Sequence, residues 1–173
     1  MKTIEIKVYE FDELSEEAKQ IAIENFCNIN VDYDWWNSIY EDAETIGLKI
    51  TSFDLNRNRH TKGEFLLSAC EVAQNIFNGH GEKCETFKTA TNFMEEWQPV
   101  FNDYMDESSD NYESGELEDK MLNMEEEFLN SRLEDYSVML QNEYEYLQSE
   151  KGIIETIKAN EYDFLETGKP YFK

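Results

Sequence analysis

The chain has 173 residues and a formal net charge of −24, with 39 acidic and 15 basic side chains. A charge of this size opposes compaction and repels nucleic acids and anionic membrane surfaces, so the composition argues against direct DNA or RNA binding. The length fits one domain, with or without a helical extension, and allows roughly 70% of the unfolded surface to be buried.

The sequence contains no readable signal peptide and no run of about 18 apolar residues. We therefore expect a soluble, cytoplasmic protein. Cys27, Cys70 and Cys84 form an odd set without a short disulfide spacing, which is typical of free thiols in a reducing compartment. We expect these thiols to be at least partly buried.

The first predicted element is a strand at residues 3–11, where apolar side chains alternate with polar ones. Ser15 is predicted to cap a helix whose apolar stripe comprises Ala18, Ile21, Ala22 and Phe26. A second helix is predicted at 33–46, closed by Gly47. Alternation at 48–55, which returns at 63–67, predicts a hairpin with a long basic tip.

In the second half, Ser68 and Glu71 match a capping box, which predicts a helix that runs to Gly79. A further helix is predicted at about 82–107, broken or kinked near Pro99. The polar stretch 106–115 indicates a linker. Apolar residues from Leu117 to Leu147 predict a helix of about 45 Å, and the C-terminus predicts a short hairpin that turns at 167–168 and adds an edge to the sheet.

Together these elements predict an α+β fold with a small, mostly antiparallel sheet, several helices and a long acidic C-terminal helical region. We divide the chain into an α+β core (1–105), a linker-like acidic loop (106–115), and a long helix with a C-terminal strand or hairpin that packs back on the core (116–173). These parts are expected to form one domain overall.

Most of the negative charge is concentrated between Glu95 and Glu150, where eighteen carboxylates face only two basic residues. Aromatic residues run through this segment, whereas disordered acidic tails lack them, so we expect the charges to be displayed on a folded surface. Its candidate partner-binding residues are Glu95, Glu96, Asp103, Asp106, Glu107, Asp110, Glu113, Glu116, Glu118, Asp119, Glu125, Glu126, Glu127, Glu134 and Asp135.

Helices normally gain from pairs of opposite charge, and like-charged neighbours such as Glu125, Glu126 and Glu127 cost stability. A function other than folding is one reason to keep them; simple solvation of the helices is the other. Carboxylates one helical turn apart approach the spacing of phosphates along B-DNA, so such a surface can imitate a nucleic acid. The sequence has one basic cluster, at Arg57, Arg59, His60 and Lys62. It can be interpreted as a solvated hairpin tip, as a second contact point for a partner, or as an internal partner of the acidic region.

The sequence offers little for catalysis or metal binding. It lacks the phosphate-binding loops and the paired-histidine zinc motif, and both histidines lie in loop-like surroundings. An EF-hand loop that starts at Asp110 lacks two required ligands. Cys70, His80 and Cys84 have no reliable fourth ligand for zinc. We therefore expect no enzyme activity, cofactor or metal.

Three stretches carry a resemblance to known proteins: VYEFDELSEEAKQIAIENF, DYDWWNSIYEDAETIGLKITSFDLNR and EYEYLQSEKGIIETIKANEYDF. They resemble a family of acidic proteins from bacteriophages and mobile elements, mostly uncharacterised, of which some carry an antitoxin label. The resemblance covers most of the chain and lends no catalytic motif. Its phage setting implies a role against host defence, in the host cytoplasm, by a strategy similar to that of phage DNA mimics that block restriction or CRISPR nucleases.

These observations lead to one leading hypothesis and two alternatives. The protein is predicted to inhibit a bacterial defence nuclease or CRISPR effector by occupying its basic nucleic-acid site. It could instead neutralise a basic toxin as an antitoxin does, or bind or degrade a nucleotide signal.

Overall fold

The computed structural model describes residues 5–57, 59–106 and 115–172. Within these ranges the chain forms six α-helices and two separate two-stranded antiparallel sheets, which confirms the predicted α+β fold. The helices are α1 (Glu16–Asn25), α2 (Asn37–Ile46), α3 (Ala69–Gly79), α4 (Glu85–Met105), α5 (Glu116–Gln148) and α6 (Glu150–Ala159). The strands are β1 (Leu48–Asp54), β2 (His60–Phe65), β3 (Asp163–Phe164) and β4 (Pro170–Tyr171).

By compactness the chain divides into two units. The first contains the described residues up to Trp35 together with those from Asn142 onward, and the second runs from Trp36 to Gln141. The first unit is therefore discontinuous in sequence. The division at residues 105 and 116 that we drew from the sequence stays a prediction.

The core of the first unit is built mainly from aromatic and aliphatic side chains of α1, α6 and β3. Phe26 and Phe164 pack edge to face with ring centroids 5.9 Å apart, and Ile153 and Ile157 of α6 join the same cluster. Asn30 is buried and satisfied on both sides: its amide donates to the carbonyl of Leu147, and its oxygen accepts from the Thr156 hydroxyl. Burial of a polar side chain with all its partners favours a single packing arrangement.

The predicted first strand is wrong over the residues that can be described. Only Tyr9 forms a bridge, to Phe164, and residues 11–13 turn into a short 3₁₀ helix. Ile6 and Val8, which the alternation placed on a buried face, are 52% and 36% exposed. A strand is stabilised by backbone hydrogen bonds to its neighbour, and β3, the neighbour of Tyr9, has only two residues to offer them.

The predicted capping residues of three helices are confirmed. The Ser15 side chain accepts from the Ala18 backbone, and Ser68 and Glu71 form a reciprocal capping box. Gly47 ends α2 at φ +90°, in the left-handed region that favours glycine. One side chain of the predicted α1 stripe, Ile21, is exposed instead.

The second unit places the β1–β2 hairpin beside α5. Phe65 of β2 meets Phe128 of α5 with ring centroids 5.6 Å apart. The basic tip is shorter than predicted, because β2 begins at His60 instead of residue 63. Residues 107–114, most of the predicted linker, lie outside the described residues.

Two further helical predictions need correction. The helix α4 continues through Pro99 without the predicted break, and the alternative of a kink stays a prediction. The helix α6 has no counterpart among the predicted elements, although Ser149 caps it by accepting from the Gly152 backbone. The C-terminal hairpin is confirmed, but β3 and β4 form a sheet of their own instead of extending β1–β2.

Among the residues described, no helix combines the length and the apolar character needed to cross a lipid bilayer.

Gly63 of β2 sets how closely the hairpin can approach α5. A Cβ atom at this position would touch the Lys49 carbonyl oxygen and lie 2.8 Å from Cδ2 of Leu133. We expect Gly63→Ala to lower the free energy of unfolding by about 1–3 kcal/mol, the usual cost of overpacking, measured by urea unfolding followed by tryptophan fluorescence.

Gly81→Ala is the matched control, because a Cβ there meets no described atom within 4 Å. Its effect should stay within about 0.5 kcal/mol. Equal stability of the two variants would show that the hairpin does not depend on this close approach.

Candidate functional site

The acidic segment predicted from the sequence corresponds largely to two antiparallel helices. We call α4 together with residues 116–141 of α5 the acidic helix pair. Phe93 of α4 stacks on Phe128 of α5 with centroids 4.3 Å apart and planes 5° from parallel. One helical turn further along α4, Nε1 of Trp97 donates to Glu125 at 3.2 Å. These contacts hold the two helices side by side.

The structure describes twelve of the fifteen predicted binding carboxylates. Glu107, Asp110 and Glu113 lie outside the described residues. Asp106 and Glu116 are exposed at the facing ends of α4 and α5. The other ten fall into two groups, of which one serves the fold and the other lines the surface.

Three of the ten carboxylates have partners inside the second unit. Glu125 is half-buried and accepts the Trp97 hydrogen bond. Glu134 binds Nη2 of Arg59 at 2.6 Å, so one residue of the basic hairpin tip is an internal partner of the acidic region. Asp135 pairs with Nη2 of Arg132 at 2.9 Å. These three side chains therefore have structural roles.

The remaining seven carboxylates are exposed. Within the described ranges, none of their side chains forms an ion pair or hydrogen bond. They are Glu95, Glu96, Asp103, Glu118, Asp119, Glu126 and Glu127. This subset of the predicted residues is displayed on the surface of the helix pair.

Adjacent glutamates on α5 do not form one row. Successive residues of an α-helix are about 100° apart, so Glu125 points roughly 200° away from Glu127. This rotation explains why Glu125 reaches Trp97 whereas Glu126 and Glu127 are exposed. Residues seven apart share a face, as Glu96 and Asp103 do on α4.

Basic side chains contribute little to this surface. Lys88 of α4 is paired with Glu85 at 2.6 Å. On α5, Arg132 is 1% exposed, and its guanidinium lies 5.7 Å from the centre of the Phe128 ring. Lys120 is exposed near the start of α5. The surface of the pair is therefore almost entirely negative.

The buried charge of Arg132 is only partly compensated. Its Nε and Nη1 have no hydrogen-bond partner within the described part of the chain. Burial lowers the pKa of the guanidinium, against the opposing effect of Asp135. Buried ion pairs of this kind often stabilise less than an apolar side chain of similar size, whereas loss of one partner is costly.

Among the described residues, cavities lie within each of the two units. The larger, about 510 Å³ in the first unit, is bordered by Glu10, Asp12, Glu161 and Asp163, and its one lysine, Lys158, is paired with Asp12 at 2.6 Å. Such surroundings repel a nucleotide phosphate. The smaller, about 140 Å³, lies between α4 and α5. Neither cavity favours the nucleotide hypothesis.

The described residues contain no group of three His, Cys, Asp or Glu side chains placed to hold a metal ion. The three cysteines are free; Cys70 and Cys84 are half-buried, but Cys27 is exposed, contrary to the prediction. Burial raises the pKa of the Cys70 thiol to about 11, and the Glu125 and Glu71 carboxylates add to the shift.

Removal of the Arg132 charge should be tolerated better than removal of its partner. We expect Arg132→Leu to change the free energy of unfolding by less than about 1 kcal/mol or to stabilise the fold. Asp135→Asn should cost about 2–3 kcal/mol; the full penalty for a broken buried pair is not expected, because Asp135 is 36% exposed. Urea unfolding of both variants tests this, and a larger loss for Arg132→Leu would contradict it.

The raised pKa of Cys70 predicts slow, strongly pH-dependent thiol chemistry. In a Cys27→Ser, Cys84→Ser variant, the rate of alkylation by iodoacetamide should rise about tenfold from pH 8 to pH 9 and keep rising to pH 10, because the thiolate is the reactive form. A rate that levels off near pH 9 would indicate an ordinary thiol and contradict the half-buried position beside Glu125.

Comparison of the chain with protein-family models, with curated proteins and with solved structures finds no match.

Proposed function

We propose that the protein binds a basic, nucleic-acid-binding surface of another protein through the acidic helix pair, and so excludes DNA or RNA from that surface. The observation that carries the proposal is a set of seven exposed carboxylates on two adjacent helices, which have no side-chain partner among the residues that the structure describes. Folding gains nothing from this arrangement, because like charges on neighbouring turns repel. A basic partner would turn the same repulsion into attraction.

The charge density supports imitation of one nucleic-acid strand. At 1.5 Å per residue, residues 116–141 extend about 39 Å. The twelve described carboxylates among the predicted binding residues, offset by Arg59, Lys120 and Arg132, leave nine net charges, or one per roughly 4 Å. One strand of B-DNA carries one phosphate per 3.4 Å, and the duplex one per about 1.7 Å. The pair therefore approaches the density of a single strand.

The rigidity of the display also supports the proposal. The aromatic stack and the Trp97 hydrogen bond hold the two helices in one arrangement before any partner binds. A preorganised surface loses less conformational entropy on binding than a flexible acidic tail. It can therefore compete with nucleic acid for a basic groove without folding on contact.

The resemblance to phage and mobile-element proteins suggests a target class. A defence nuclease or CRISPR effector in the cytoplasm of the host bacterium combines a basic groove with a reason for inhibition. An antitoxin role against a basic toxin uses the same surface and differs only in the partner. The identity of the partner therefore decides between the two.

The test is capture of partners on the tagged protein from bacterial lysates that carry different defence systems, with elution by duplex DNA. We expect recovery of a nuclease or CRISPR subunit that DNA displaces and whose binding weakens at high salt, because salt screens the attraction between exposed charges of opposite sign. Recovery of a small toxin that DNA does not displace would overturn nucleic-acid mimicry in favour of the antitoxin role.

Two charge-reversal variants test whether binding depends on the acidic helix pair or only on the net charge of the protein. Glu95→Lys, Asp103→Lys and Glu126→Lys together alter the acidic helix pair. The matched control, Glu24→Lys, Asp32→Lys and Glu166→Lys, makes the same charge change at exposed sites of the first unit. At about 1 kcal/mol per lost contact, the first variant should bind the captured partner roughly a hundredfold more weakly. Equal losses in both variants would contradict the proposed surface.

A further inference from the structure

The cavity between α4 and α5 differs from the rest of the acidic surface because it has an apolar floor. Phe93, Met124 and Phe128 line it, and Glu96 of α4 and Glu127 of α5 border it from opposite helices. Its volume of about 140 Å³ is well below the roughly 300–1,000 Å³ of sites for drug-sized ligands. It is therefore on the scale of a single amino-acid side chain.

The two bordering carboxylates lack a compensating cation. Both are exposed, and neither has an ion pair with any residue in the described ranges. The buried guanidinium of Arg132 lies 5.7 Å from the centre of the Phe128 ring, and its Nη2 donates to the Ser131 hydroxyl at 3.4 Å, but its ion pair is with Asp135 and not with either bordering glutamate. Two negative charges that border one cavity raise each other's energy, and a positively charged occupant would relieve this repulsion.

We propose that this cavity receives one arginine side chain of the partner protein, an inference that rests on the proposed function. A guanidinium has weakly hydrated faces that pack on aromatic and thioether groups, and its edge carries five N–H donors. Glu96 and Glu127 accept from that edge, and the Ser131 hydroxyl, which also lines the cavity, is a further acceptor. A lysine ammonium matches the charge but not the planar shape.

A bound arginine would add a short-range contact in the cavity to the long-range electrostatic attraction of the acidic helix pair. Arginine is the residue that nucleic-acid sites use most for bidentate contact with phosphate or guanine. Arginine is enriched among the few interface residues that dominate binding energy, and such residues usually fill a pocket of the partner. Glu96 and Glu127 would therefore matter more for affinity than the other exposed carboxylates.

The test uses N-acetyl-arginine methylamide as the probe, with the intact protein labelled at its methionine methyl groups and observed by NMR at constant ionic strength. We expect a saturable shift of the Met124 methyl, with a Kd on the order of 10 mM for a ligand of this size. The lysine analogue should bind several-fold more weakly. The neutral citrulline analogue should give no saturable shift.

Two double substitutions test whether the Met124 response depends on Glu96 and Glu127. Glu96→Gln with Glu127→Gln should weaken the Met124 response at least fivefold. Glu41→Gln with Glu44→Gln, at exposed positions of α2 outside the acidic helix pair, should leave it within twofold. The assignment would be overturned by the lack of a saturable Met124 shift or by equal weakening in both pairs of variants. It would also be overturned by equal shifts at the exposed Met105 and Met139, or by an equal response to the citrulline analogue.

This experiment is independent of the partner protein, so its failure and that of the proposed function can be told apart. Arginine bound at Met124 without a DNA-displaced partner in lysates would support the cavity and overturn the function. A DNA-displaced partner that the Glu95, Asp103 and Glu126 reversal releases, without arginine at Met124, would support the function and overturn the cavity assignment.

Discussion

The acidic surface depends on the aromatic contact between Phe93 and Phe128, which holds two like-charged helices together. Two unit charges about 10 Å apart in water repel by roughly 0.4 kcal/mol before salt screening, and physiological salt reduces this further. Burial of one phenylalanine side chain contributes about 1.5–3 kcal/mol. Several repelling pairs can therefore be offset by the Phe93, Phe128 and Phe65 cluster, and the chain can carry its charge without losing the fold.

The carboxylates of the acidic helix pair have different roles, although their residue types and spacing do not distinguish them. Glu125 joins α5 to α4 through Trp97, Glu134 joins α5 to the hairpin through Arg59, and Asp135 pairs with the buried Arg132 within α5. Glu126 and Glu127 follow directly after Glu125 but are exposed. Part of the negative charge is therefore engaged in internal contacts, and only the remaining carboxylates are displayed on the surface.

The parts of the fold that follow from local chemistry could be predicted from the sequence. The Ser15 cap, the Ser68 and Glu71 capping box and the Gly47 terminus each depend on residues within four positions of one another. The sequence also carries a local signal for α6, in Ser149 followed by an apolar stripe at Ile153 and Ile157. The predicted N-terminal strand is wrong because pairing is a tertiary property: among the described residues of that stretch, only Tyr9 bridges to β3.

The candidate site shows the same limit. Composition identified the acidic segment, and helical periodicity gave its apolar stripe. The separation of structural from displayed carboxylates could not be predicted, because Trp97 and Arg59 lie 28 and 75 residues from their partners. The cavity bordered by Glu96 and Glu127 likewise exists only once α4 and α5 are placed side by side.

The discontinuity of the first unit imposes an order on biosynthesis. Asn30 must wait for Thr156, 126 residues later, before both of its buried hydrogen bonds can form. At about 5–20 residues per second, a ribosome needs roughly 6–25 s to make that stretch. The second unit has its own internal contacts within Trp36–Gln141 and can complete them earlier. The apolar core side chains of the N-terminal segment thus remain accessible to chaperones and proteases on the nascent chain after the acidic helix pair has been synthesised.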